Sequence, residues 1–194
     1  DHRAGRLPRL LHLCVITTGN KSGTILDRHL LQDRTIMGHM VVPDIVTVAA
    51  MPYRESEWNG EYLEPIEEWN VSTYSALGGD LPIFFSDDGM VRLDEPESHF
   101  KPSLTGPDET STSVYGFGTF NGTSASVANV VAVAALLLQK NPTLSPEELL
   151  LAMQESAIDI ETPGVDAHSG FGLIDALQTM KWLFPSSVSD WLNY

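Results

Sequence analysis

The residues of this chain best suited to covalent chemistry are Gly122-Thr123-Ser124-Ala125-Ser126, which run directly into an apolar stretch from Val127 to Leu138. A Gly-Thr-Ser turn opening a long helix sets a serine hydroxyl at a helix N-terminus. Unpaired backbone N–H groups and the positive end of the helix dipole favour negative charge there. A nucleophile whose attack creates an oxyanion gains from that placement. Taken alone, the string also describes an ordinary capped helix, because Ser and Thr are common at helix starts. Asn20 is the second candidate. It follows Gly19 at the end of an apolar run, Leu10 to Thr17, that reads as a buried strand. Strand ends of an open α/β sheet carry functional loops, although an Asn after a Gly is equally a turn residue.

Other elements must hold these residues in place. Ile45 to Ala50 reads as a short buried strand, and Val71 to Ser75 as another. Residues 81–93 form a predicted β-hairpin, with Asp88-Gly89 in the turn. That turn accounts for Asp87 and Asp88 better than a metal does; a structural calcium stays open but is not indicated, and the chemistry requires no cofactor. Asp94 to Thr119, rich in Pro, Gly, Ser and Thr, is expected to be mostly loop. The helix after Ser124, about Ser126 to Lys140, is apolar on nearly every side and is expected to be buried on every side. Its apolar core is expected to be too short for a bilayer. Ser145-Pro146-Glu147-Glu148 is a helix start of the capping-box type, and the helix should continue to about Ala157. A last helix ends near Leu183, and residues 184–194 form a tail.

Composition narrows the function. The chain has 194 residues, enough for one good core. Eleven basic against 26 acidic side chains give a net charge of −15, which argues against nucleic acid or an anionic membrane surface as partners. No apolar run reaches the roughly 18 to 20 residues of a membrane span. The single cysteine, Cys14, forms no disulfide framework and no metal motif, and fits a small buried hydrophobe. Residues 53–70 interleave six glutamates with Trp and Tyr. They read as a solvated insertion pinned by its aromatics, or as an exosite for basic substrates. Residue 1 is Asp, and no signal-peptide pattern opens the chain. The numbering is therefore expected to begin inside a longer protein.

Taken together, the motifs resemble the subtilisin-like serine proteases, the subtilases of peptidase family S8. Gly122-Thr123-Ser124 with its apolar helix is similar to the family's nucleophile motif. Thr17-Thr18-Gly19-Asn20 resembles its Ala-Ala-Gly-Asn strand end, and Ile45 to Ala50 the Val-Ile-Thr-Val-Gly-Ala strand that follows. Tyr74-Ser75-Ala76-Leu77-Gly78 sits where the family has Phe-Ser-Ser-x-Gly. Lys101-Pro102-Ser103-Leu104-Thr105-Gly106-Pro107-Asp108 resembles its Lys-Pro-Asp-Leu-x-Ala-Pro-Gly. Asn141-Pro142, Leu144-Ser145-Pro146 and Ser169 to Ala176 match its closing segments. The order is kept from about residue 10 to 183.

The resemblance implies an α/β fold, a mostly parallel sheet flanked by helices, with residues 1–183 as the C-terminal part of one catalytic domain. It implies a serine endopeptidase acting on polypeptides, with Ser124 as nucleophile, Asn20 in the oxyanion hole, and Gly19, Gly122 and Thr123 in support. It also implies a secreted or envelope location. The triad order of the family is Asp, His, Ser. Neither His2 nor His12 carries the His-Gly-Thr motif, and His29, His39, His99 and His168 come too late. The triad Asp and His are thus expected to be absent from this chain, which would be inactive alone and completed by a missing N-terminal half. Ala128-Asn129 stand where the family has Pro-His, a departure that bears on the alternative of a pseudoprotease or partner-binding module. Asn20, Asn70 and Asn121 also open formal glycosylation sequons.

Overall fold

The computed structural model describes residues 34–53, 66–86, 88–116 and 118–185. The chain divides into two compact units, Asp1–Gln32 and Asp33–Tyr194, and all described residues belong to the second. The expected strand of residues 10–17, Cys14, Gly19, Asn20 and most of the acidic insertion lie outside the described residues.

The core is built on a parallel pair. Strand β1 (Val48–Pro52) lies beside β4 (Leu104–Asp108), in a register that pairs Val48 with Leu104 and Pro52 with Asp108. Ala49, Ala50 and Met51 on β1, and Leu104 and Thr105 on β4, are buried, as suits short apolar strands covered on both faces. The chain returns to β4 near its end. Thr105 N–H donates to the Gly172 carbonyl at 2.8 Å and Ile174 N–H to that of Thr105 at 2.9 Å, so residues 172–174 run parallel to β4. Leu173 in turn exchanges both backbone bonds with Ile158. The closing motif therefore extends the sheet edge before Asp175 caps the last helix by accepting from Gln178 N–H at 2.9 Å.

Three helices follow the strands: α1 (Thr123–Lys140), α2 (Pro146–Glu155) and α3 (Ala176–Leu183). Leu104, Val130, Leu137, Leu149, Met153 and Ile174 form one apolar cluster that joins β4 to α1 and α2. Met51, Trp69, Ile160 and Leu173 form a second. Buried Trp69 anchors the C-terminal end of the acidic segment. Helix α2 starts as its sequence dictates. Ser145 Oγ accepts from Glu148 N–H at 3.2 Å, Glu148 Oε2 accepts from Ser145 N–H at 2.8 Å, and Pro146 takes the first turn.

An antiparallel ribbon stands beside this core: β2 (Gly79–Phe85) pairs with β3 (Arg92–Lys101). Its turn is held by Asp88, whose carboxylate accepts from Ser86 Oγ at 2.6 Å and Met90 N–H at 2.9 Å. Those bonds, Ser86 first, hold the Asp88 carboxyl below its ordinary range. At the far end, Lys101 is buried and donates to the carbonyls of Ile45 and Pro43. Burial pushes its ammonium below the usual lysine range, against the opposing pull of Asp44. A short ribbon, β5 (Thr110–Ser111) with β6 (Thr119–Phe120), leads into α1.

Four expectations are corrected. Residues 94–119, expected to be mostly loop, hold the rest of β3, all of β4, and β5 with the start of β6. The first described strand starts three residues later than expected, at Val48 rather than Ile45. Residues 71–75 are a turn, because Ser72 N–H donates to Ala50 O at 2.7 Å and Ser75 N–H to Ser72 O at 2.8 Å. Helix α1 starts three residues early and is buried on one face only: Ala125, Ser126, Val130 and Leu137 pack inward, while Val127, Val131, Leu136 and Leu138 are exposed. The strands offer it a single surface, so its apolar composition exceeds what the described residues cover. At 18 residues with a mean hydropathy of 1.3 it reaches the lower length limit of a spanning helix, but its inner face belongs to the core cluster.

Candidate active site

The start of α1 is set by backbone geometry rather than by a side-chain cap. Gly122 occupies the N-cap position at φ 117°, ψ 163°, and among the described residues no side chain caps the helix. A Cβ at Gly122 would meet nothing closer than 3.9 Å, so it is the backbone angle, and not space, that calls for glycine. The chain then turns sharply into the helix, with Ala125 N–H donating to Gly122 O at 2.8 Å. Thr123 and Ser124 lie inside the first turn, both exposed. Their N–H groups have no carbonyl four residues back within the helix, so they point toward whatever lies beyond its end. The capping use of this serine, open from the sequence alone, is thus not the one the helix makes.

Two long-range contacts fasten this turn to the C-terminal end of β4. Asp108, the last residue of that strand and fully buried, accepts from Gly122 N–H through Oδ1 at 2.8 Å. Asn129 donates through Nδ2 to Pro107 O at 3.0 Å and to Ala125 O at 3.2 Å. Ser124 therefore stands beyond the carboxyl end of a parallel strand, where open α/β sheets place their sites. It also heads an exposed stripe of α1: Ser124, Val127, Val131, Ala135 and Leu138 follow at helical spacing on one face. Neither Asp108 nor Asn129 was singled out as holding this turn by sequence reasoning. Their partners lie 14 and 22 residues away, beyond any local pattern.

The described histidines stand apart from this arrangement. His39 and His168 are exposed, and His99 lies 3.7 Å from Glu97 on β3. Among the described residues, no three His, Cys, Asp or Glu side chains gather as a metal site. A cavity of about 450 Å³ between the end of α2 and α3, lined by Glu155, Ser156, Gln178, Lys181 and Trp182 among others, takes no residue from α1 or β4.

Comparison with known proteins places these observations in a family. The model of the Subtilase family matches residues 13–172. The neisserial autotransporter lipoprotein NalP of Neisseria meningitidis serogroup B is 46% identical over 60 residues, which are 31% of this chain and 6% of that protein. An extracellular serine protease of Serratia marcescens is 32% identical over 60 residues, with the same coverage of 31% and 6%. The chain thus spans 6% of the length of these curated relatives. Among solved structures, sphericase aligns at 24% identity and a TM-score of 0.47, over 69% of this chain and 41% of its own.

Proposed function

The chain belongs to the subtilase family, and we propose that it supplies the nucleophile-bearing part of a serine-type endopeptidase. The observation that carries this reading is Ser124 itself: exposed, in the first turn of α1, and free of any capping duty. In the proposed reaction Ser124 Oγ attacks the carbonyl carbon of a peptide bond while a histidine takes its proton. The tetrahedral intermediate collapses, the C–N bond breaks, and the histidine returns the proton to the departing amine. Water then attacks the acyl-enzyme by the same route and releases the carboxylic acid. The developing oxyanion is held by the backbone N–H of Ser124 and the side-chain amide of Asn20, with Gly19 shaping the latter's turn. Gly122 and Thr123 set the backbone that aims the serine.

The histidine and its orienting aspartate come, on this reading, from a part of the protein preceding this chain. Support comes from the absence of a His-Gly-Thr sequence and from relatives far longer than the chain. The same upstream part covers the exposed stripe of α1. A location outside the cytoplasm is supported by the relatives, one an autotransporter lipoprotein and one an extracellular protease. The test is treatment of the intact parent protein with a fluorophosphonate probe, with the labelled residue mapped and Ser124→Ala as the control. Labelling at Ser124 that vanishes in the variant is expected. A folded parent that stays unlabelled overturns the reading and leaves a peptide-binding scaffold without a working nucleophile.

A further inference from the structure

We propose that Asp108 is a positioning residue for Ser124, acting through the backbone of Gly122, with Asn129 as a second brace on the same turn; the proposal rests on the nucleophile reading above. The carboxylate of Asp108 is fully buried, yet its only side-chain hydrogen bond among the described residues goes to Gly122 N–H. Its other oxygen, Oδ2, is buried with no partner among the described residues. A carboxylate so placed is a poor stabiliser, because burying a charged group without satisfying both oxygens costs free energy. What it gains is one hydrogen bond, at the residue two before the serine.

The surroundings fit one another. Gly106 lies under α1, where a Cβ would meet Ser126 O at 2.6 Å and Val130 Cγ2 at 2.9 Å. The helix therefore sits closer to β4 than any larger residue allows, which brings Gly122 within reach of Asp108. Asn129 then ties Pro107, between these two, to the second turn. Three of the positions where the sequence departs from the family pattern, Gly106, Asp108 and Asn129, thus fall in one contact between strand and helix. With no proline in the helix to fix its first turns, the fastening comes from β4.

The experiment uses the intact parent protein and three readouts: the rate of Ser124 labelling by a fluorophosphonate, kcat and KM on a peptide substrate, and amide hydrogen exchange over residues 122–126. In Asp108→Ala, labelling and kcat should fall by at least about tenfold with KM little changed, as expected for a misaimed nucleophile. Exchange at Gly122 should rise by about the same factor as its bond is lost. Asp108→Asn keeps an acceptor for Gly122 N–H and should stay within about threefold of the parent in all three. Unchanged labelling and exchange in Asp108→Ala overturn the proposal. Should that variant fail to fold, Asp108→Asn decides: near-parental rates support the proposal, and a loss of tenfold or more overturns it. A parent that is never labelled removes the protease reading alone, since Gly122 exchange still reports whether Asp108 holds the turn.

Discussion

Helices α1 and α2 share one core cluster and are built on opposite plans. Helix α2 is ten residues long and self-sufficient at its start: Ser145, Pro146 and Glu148 make a complete local cap, and Leu149, Ala152 and Met153 face inward. Helix α1 is 18 residues long, begins at an uncapped glycine with positive φ, and leaves a stripe of Val and Leu exposed. Its start is held from outside, by Asp108 and Asn129. The contrast shows where structure and function part. Helix α2 carries its own start signal; helix α1 has no described side-chain cap and borrows rigidity from a strand, which on the proposed reading leaves its first N–H groups open for a reacting oxygen.

The contrast can be broken at several points. The largest effect is expected at Leu137, buried between the strands and α2, where Leu137→Ala should cost about 2–5 kcal/mol in urea unfolding. Its neighbour Leu136 is 56% exposed, and Leu136→Ala should stay within about 0.5 kcal/mol in this chain. Repeating that pair in the intact parent sharpens the point: equal costs there would show that the outer face of α1 is covered in the whole protein. Next comes Gly122→Ala, which forces a side chain onto φ 117° and should cost about 1–3 kcal/mol. Urea titration gives the stability, and the labelling rate of Ser124 should fall with it. A Gly122→Ala protein of parental stability and rate would show that α1 needs no special start.

On the other side of the comparison, Ser145→Ala removes the local cap of α2 and should cost about 1 kcal/mol, with no change in Ser124 labelling. The smallest effect is electrostatic. The Glu147 carboxyl is held below its ordinary range, by its own backbone N–H first and by Ser145 second. A folded-state value below the unfolded one means its contribution is present above the unfolded value, near 4.5, and fades as pH falls through the folded one. Amides of residues 147–149 should therefore lose protection on acidification below about pH 4.5, and Glu147→Gln should flatten that dependence. Helix α1 has no acidic residue in its first turn to respond in this way.

What was legible in the sequence follows the same division. The capping box of α2, the Asp-Gly turn of the ribbon and the helix after Asp175 are all encoded within a few neighbouring residues, and the structure has each of them. The start of α1 was placed three residues late because its fastening is not local. Strand β3 was missed beyond Leu93 because its polar residues, Asp94 to Ser98, lie exposed on a two-stranded ribbon. No buried face imposes an alternating pattern there. Residues 71–75 looked like a strand, but Ser75 Oγ accepts from Ala50 N–H at 3.0 Å and fixes a turn instead. The candidate nucleophile was legible by motif, whereas the carboxylate beneath it was one acid among 26.

The parallel register of β1 with β4 has a kinetic side. Val48 must find Leu104 across more than fifty residues, and the ribbon of β2 and β3 lies within that span. Once Gly79 has paired with Lys101, about three-fifths of that stretch is left to close. Because closure entropy grows only logarithmically, that shortening saves about 0.4 kcal/mol, close to a twofold gain in encounter rate. The ribbon, remote from the serine and mostly solvent-facing, would thus act on the order of assembly: a chain with its turn at Ser86 to Val91 disrupted should reach the same β1–β4 pairing, only later.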